Sequence, residues 1–297
     1  MLTLLAALLS APIPMEEDSA GRPVLRLWES GAPGYEELRD LPERSEGWWV
    51  DTIHHPSLTV YRPVGDVVGS NSGGGRVGVV VVPGGGLSKL VIGAEGNEAA
   101  QFLNSLGVTA FVLKHRLPRQ EGAPYDLDSH PKEDGQRALR LVRHRAAEFG
   151  VDPERIGMLG FSAGGEVVSW TAYTAGDVVT RTGPDGPIED RDAVDAVSSR
   201  PDFQMLVYPG PLGVPETIPA GSPPAFLLIA DQDFHLKTTV ALYLKLHEAQ
   251  VPAELHVFAA GKHGFNMGQR SDKVTIRDWP QRMRQWMQDH VFEEKAE

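Results

Sequence analysis

The chain has 297 residues, 41% hydrophobic and 23% charged, enough to bury one large α/β core or two smaller ones. With 40 acidic against 28 basic residues, its net charge of −12 argues against nucleic acid as a partner, because phosphate binding needs a clustered basic surface. Cysteine is absent, which removes disulfides and thiolate metal sites and leaves the compartment open.

The N-terminus opens on an apolar run, Leu2–Leu9, followed by Ser10-Ala11-Pro12 and the acidic Glu16-Glu17-Asp18. The run is too short to cross a bilayer. It is similar to the hydrophobic region of a secretory signal, but no Lys or Arg precedes it and no clean A-x-A site follows. A secreted or periplasmic location is therefore favoured over a cytoplasmic one, the alternative being a tail or a docked apolar segment. Residues 1–47 read as an N-terminal segment, apolar at first and then a Pro-, Gly- and Glu-rich linker with one short apolar stretch, Val24–Trp28. Residues 48–297 read as a single main domain.

Within that domain Ser57–Tyr61 is the first clear strand, ended by Pro63, and Asp66–Gly75 is a Gly/Ser turn region. Arg76–Val82 is almost continuously Val, which suits a strand covered on both faces of a parallel sheet. Glu95–Leu106 is expected to be helical, Val108–Leu113 a strand, and Lys132–Phe149 an amphipathic helix carrying Arg137, Arg140, Arg143 and Arg145 on its surface. Arg155–Leu159 is a short buried strand, and Glu166–Tyr173 the helix after it. Gly176–Pro201 is a polar surface excursion. Phe203–Tyr208, Ala225–Ala230 and Ala253–Phe258 are further strands, with Lys237–Ala249 and Asp278–Val291 as helices. This alternation predicts a mainly parallel sheet with helices on both faces.

Between the strand at Arg155 and its helix stands Gly160-Phe161-Ser162-Ala163-Gly164, a G-x-S-x-G sequence. A serine on a sharp strand-to-helix turn projects its hydroxyl, and side chains two residues either way would strike neighbouring backbone. Flanking strand and helix make an incidental match far rarer than the bare pattern. A nucleophilic Ser162 needs a base, an orienter for the base and oxyanion donors, and open α/β sheets place such groups at strand ends. The glycines of Val82-Pro83-Gly84-Gly85-Gly86 follow the Val-rich strand, so that backbone N–H groups of Gly85 or Gly86, with that of Ala163, would form the oxyanion hole.

Among ten histidines, His263, in Gly261-Lys262-His263-Gly264-Phe265 just past a strand, is the base. His256 lies inside the strand and packs, His54, His55 and His115 have no catalytic pattern, and His130 and His144 read as surface residues. Asp233 is preferred over Asp231 as the orienter because it lies in the turn beyond the strand end. The order Ser162, Asp233, His263 is that of α/β-hydrolases and differs from both serine-protease orders.

With these residues the chain resembles the α/β-hydrolase superfamily, and within it the carboxylesterases of the acetylxylan-esterase and feruloyl-esterase-like group, related to the hormone-sensitive-lipase-like enzymes. The resemblance spans roughly residues 50–291 and rests on HHPSLTVYRP, VVPGGG, DGQRALRLVR, DPERIGMLGFSAGG, RPDFQMLVYPG, GKHGF and Asp278-Trp279-Pro280. It implies the α/β-hydrolase fold and hydrolysis of esters, commonly acetyl groups on plant-wall sugars, without metal or cofactor. The partner would be a small-molecule or oligosaccharide ester; oligomeric state is left open. The glycine motif reads Pro-Gly-Gly-Gly rather than His-Gly-Gly-Gly, which bears on closeness to the lipase-like branch more than on activity. Asp134 resembles a position that braces the oxyanion loop, or is an acid favoured in a first helical turn. Trp170 reads as core, while Lys262 and Leu87 are candidates to line the pocket. The competing readings are a general short-chain or feruloyl carboxylesterase, a prolyl-oligopeptidase-type peptidase, for which no propeller-like repeat is present, and a non-catalytic binding module.

Overall fold

Alternation along the Val-rich run sets up two layers. Within Arg76–Val82, Val79 and Val81 enter one hydrophobic cluster while Val80 and Val82 enter the other, all four with no exposed surface. Each such burial is worth about 1.5–3 kcal/mol, so a strand of this composition is stable only between two covering layers. The computed structural model describes residues 15–64, 76–174, 181–189 and 191–293. The apolar run Leu2–Leu9 and the turn region Asp66–Gly75 lie outside these.

Among the described residues the main sheet comprises β1 (Glu16–Glu17), β2 (Pro23–Arg26), β3 (Ser57–Tyr61), β4 (Arg76–Val82), β5 (Thr109–Lys114), β6 (Val151–Phe161), β7 (Gln204–Val207), β8 (Ala225–Ala230) and β9 (Ala253–Phe258). Their spatial order is β1-β2-β3-β5-β4-β6-β7-β8-β9. From β5 to β9 every neighbouring pair is parallel, and β1, β2 and β3 add an antiparallel margin. The principal helices are α1 (Glu98–Ser105), α2 (His130–His144), α3 (Ala163–Tyr173), α4 (Leu236–Glu248), α5 (Val274–Arg277) and α6 (Trp279–Met287). Leu103 of α1 and Met283 and Trp286 of α6 cover one face, while Leu139 of α2, Val167 of α3 and Leu246 of α4 cover the other. This is the mainly parallel α/β-hydrolase architecture with helices on both faces. Every residue of α3 is buried, which is why its sequence shows no polar stripe.

Several boundaries differ from the sequence expectation. The stretch read as a linker contributes β1 and β2 instead, with Val24 paired to Thr59 and Leu25 to Leu58. Its buried apolar residues, Leu25, Leu27, Trp28, Ala32 and Tyr35, are few and scattered, and it forms local ion pairs, Arg22 with Asp18 and Arg26 with Glu16, both at 2.6 Å. The break placed at residue 48 thus falls after part of the main sheet has formed. α2 starts earlier and ends at His144, where the chain tightens into the 3-10 turn Ala146–Phe149. The arginines are not decoration: Arg137 and Arg140 of α2, and Arg145 just beyond it, are buried. Arg137 pairs with Asp192 at 2.5 Å and donates to Leu27 O at 2.8 Å, and Arg143 pairs with Asp202 at 2.9 Å, so this row ties down the segment after α3. α1 is preceded by a wider π-type turn, Ile92–Asn97, that carries Glu95 into the interior.

Candidate active site

The elbow lies where β6 meets α3. Ser162 has φ 50° and ψ −120°, a conformation few non-glycine residues adopt. Its neighbours hold it there: its N–H donates to Val207 O at 3.0 Å, and its carbonyl accepts from Gly165 and Gly210 at 2.9 and 3.0 Å. A Cβ on Gly164 would lie 2.1 Å from the carbonyl oxygen of Val82, so the start of α3 can approach the end of β4 only with glycine at that position.

His263 lies beyond β9 and reaches the elbow directly, Nε2 being 2.7 Å from Ser162 Oγ. Its Nδ1 is 2.8 Å from Asp233 Oδ2, and the Asp233 side chain is fully buried. The other Asp233 oxygen accepts from the N–H of His235 at 2.8 Å, which fixes the carboxylate in the turn after β8. Asp231 is exposed, and its N–H still continues the strand ladder to Phe258 O at 2.8 Å. The imidazole is flanked by Phe234, ring centroids 4.4 Å apart, and by Tyr208 at 4.9 Å. Phe234 is 73% exposed and forms an apolar lip at the mouth, while Tyr208 is wholly buried beneath.

The glycine loop follows β4. Gly85 and Gly86 have φ of +131° and +68°, and a Cβ on Gly85 would lie 2.1 Å from Lys89 O. Among the described residues no protein acceptor takes the N–H of Gly85, Gly86 or Ala163, which leaves all three for a ligand. Gly84 is different, since its N–H donates to Glu95 Oε2 at 2.7 Å. Glu95 Oε1 accepts from Tyr208 Oη at 2.8 Å, and burial pushes this carboxyl up to about 7. Sequence reading missed Glu95 and Tyr208. A glutamate near a helix start and a tyrosine at a strand end carry no local signal of a shared contact.

Other expected positions fall elsewhere. Asp134 serves Arg116 rather than the glycine loop, accepting from its N–H at 2.7 Å and its guanidinium at 2.6 Å, with both side chains fully buried. The segment it anchors touches that loop one step on, where the Arg119 N–H donates to Leu87 O at 3.0 Å. Leu87 is buried and packs into the core, Lys262 is exposed beside His263, and Trp170 is core. His130 is buried rather than at the surface, bonded through Nε2 to Thr182 O at 2.9 Å. His256 is half-buried and pairs with Glu254 at 2.5 Å. Among the described residues no three His, Asp or Glu side chains are gathered as metal ligands.

Comparison with known proteins gives the family. A family model described as BD-FAE matches residues 69–197. The chain is 26% identical over 223 residues to the acetylxylan esterase of Xylanibacter ruminicola, covering 64% of this chain but only 41% of that protein's length. It is similar in structure to an acetyl ester-xyloside bifunctional hydrolase from Caldicellulosiruptor lactoaceticus, with a TM-score of 0.69, 26% identity, and coverage of 91% of this chain and 97% of the other. To carboxylesterase NlhH of Mycobacterium tuberculosis it is 30% identical over 281 residues, which span 82% of this chain and 76% of the relative. On that match, and with the fold and elbow described above, the chain belongs to the carboxylesterase family of α/β-hydrolases.

Proposed function

We propose that this protein is a serine carboxylesterase that removes short acyl groups, acetyl foremost, from acylated carbohydrate. The observation that carries the reading is the unbroken line from Ser162 Oγ through His263 to Asp233, at 2.7 and 2.8 Å, beside a glycine loop with free N–H groups. In this reading His263 Nε2 takes the Ser162 proton as Oγ attacks the ester carbonyl. The tetrahedral oxyanion is met by the N–H of Ala163 and of Gly85 or Gly86. Collapse expels the alcohol, which receives the proton from His263, and leaves the acyl group on Ser162. Water, deprotonated by the same imidazole, then releases the carboxylic acid and restores the serine. Asp233 holds Nδ1–H so that Nε2 faces the serine.

The carbohydrate preference is supported by the names of two relatives, an acetylxylan esterase and an acetyl ester-xyloside hydrolase. The broader reading, a general short-chain carboxylesterase, is supported by the similarity to carboxylesterase NlhH. Measuring kcat/KM on p-nitrophenyl esters from acetate to decanoate, on feruloyl esters and on acetylated xylan separates them. Acetate release from xylan with a maximum at the shortest acyl chains is the expected result. Activity confined to synthetic esters would leave only the general carboxylesterase, and an optimum at long chains would overturn the short-acyl reading.

A further inference from the structure

Glu95 is a carboxyl 3% exposed, with no cation paired to it among the described residues. Removing such a group from water is costly, and an apolar residue would pack there at less expense. What it does instead is join two loops that the sheet does not. The glycine loop follows β4 and the histidine loop follows β9, and β6, β7 and β8 stand between those strands. One Glu95 oxygen holds the N–H of Gly84 at 2.7 Å. The other accepts from Tyr208 Oη at 2.8 Å, and that hydroxyl in turn accepts from the N–H of Asn266 at 3.0 Å, three residues past His263. The Asn266 carbonyl is pinned from the opposite side by the indole N–H of Trp279 at 2.9 Å. The Tyr208 ring meets His263 edge-on, and Tyr208 itself has φ 40°, a strained turn at the end of β7. A Cβ on Gly84 would lie 2.8 Å from Glu95 Oε2 and 2.9 Å from Ser162 Cβ, so only this glycine separates the carboxyl from the elbow.

We propose that Glu95 is a positioning residue, a strut that sets the oxyanion loop and the histidine loop at a fixed distance from each other through Gly84 on one side and Tyr208–Asn266 on the other. The inference rests on the esterase reading and adds to it a residue that touches neither substrate nor nucleophile. A carboxyl group is required because the Gly84 N–H and Tyr208 Oη meet its two different oxygens. Glutamine offers one oxygen, and its amide N–H₂ would face either the Gly84 N–H or a tyrosine hydroxyl forced to reverse. Burial supports the same view, since it pushes this carboxyl up to about 7 and marks a group retained against its own solvation.

The test compares the full-length wild type with Glu95→Ala, Glu95→Gln, Tyr208→Phe and the Glu95→Gln/Tyr208→Phe double variant. For each, kcat and KM on p-nitrophenyl acetate are read together with Tm. Misplacing oxyanion donors acts on the transition state, so the Glu95 variants should lose on the order of 10–10² in kcat with KM within about threefold. Tyr208→Phe should lose less, and the double variant should be no slower than Glu95→Gln alone, because both changes cut the same strut. Folded Glu95 variants with undiminished kcat and only a lowered Tm would overturn the proposal, as would single effects that multiply in the double variant. If Glu95→Ala does not fold, the near-isosteric Glu95→Gln and Tyr208→Phe decide the matter. A wild type that hydrolyses no ester would be a different failure, overturning the esterase reading and this inference with it.

Discussion

Asp233 and His263 meet across the turns that follow β8 and β9, with Oδ2 2.8 Å from Nδ1, while Asp231 two residues earlier is exposed and still bonded into the strand ladder. Asp233→Asn should therefore keep the fold and lose on the order of 10²–10⁴ in kcat, because the amide favours the wrong imidazole tautomer. Asp231→Asn should stay within about twofold of wild type, as an exposed side chain with no bond to the imidazole. Steady-state kinetics on both variants checks this, and exchanged phenotypes at equal stability would transfer the role to Asp231.

Ser162→Ala removes the only hydroxyl 2.7 Å from His263 Nε2 among the described residues. Loss of kcat by roughly 10⁴–10⁶ is expected, with unchanged far-ultraviolet circular dichroism, since the serine and histidine act as one unit. The same variant should lose labelling by a fluorophosphonate probe. Near-wild-type turnover on p-nitrophenyl acetate would remove Ser162 from the mechanism.

Burial raises the Glu95 carboxyl from its ordinary 4.5 to about 7, so the folded protein keeps a proton that the unfolded chain has already released. The folded state then binds more protons between those two values, and stability must fall as pH rises through that window. Its contribution is fully present below about pH 4.5 and lost above about pH 7, by roughly 3 kcal/mol at most. Glu95→Gln lacks this titration. The difference in unfolding free energy between variant and wild type should thus shift in favour of the variant between about pH 5 and pH 8. Urea titrations at both pH values measure it, and a difference that does not change with pH would contradict the assignment.

Arg116 and Asp134 are both fully buried and 2.6 Å apart, with Glu133 3.3 Å from the same guanidinium. Removing Asp134 leaves the buried guanidinium with the longer Glu133 contact alone among the described ion pairs, so Asp134→Ala should cost about 3–5 kcal/mol of stability. Its effect on kcat should be small at temperatures where the variant remains folded, because among the described hydrogen bonds the segment after Arg116 meets the glycine loop through the backbone of Arg119 and Leu87. Chemical denaturation gives the stability change directly. A loss of kcat larger than that of Glu95→Gln, at equal folded fraction, would show that this pair governs the loop.

What the sequence determined by itself was a candidate site carried by local pattern. Gly160 to Gly164 between a strand and a helix, three glycines after a Val-rich strand, and an aspartate and a histidine after two later strands are short-range features, because tight turns and strand ends demand particular residues. The parallel core was legible for the same reason, since strands covered on both faces need continuous apolar runs such as Val79–Val82 and Phe226–Ile229. Only the tertiary structure decided three other things. β1 and β2 join the sheet although their composition is that of a linker, because Leu25 and the residues just after it, Leu27, Trp28, Ala32 and Tyr35, are buried in the core while nearby charges pair locally. The arginines of α2 turn inward because acids and carbonyls distant in sequence, among them Asp192 and Leu27 O, come to meet them. Glu95 finds Gly84 and Tyr208 because a nine-stranded sheet brings the ends of separate strands together. Contacts between residues far apart in the chain leave no periodicity behind, and so the second layer of the site appears only once the chain is folded.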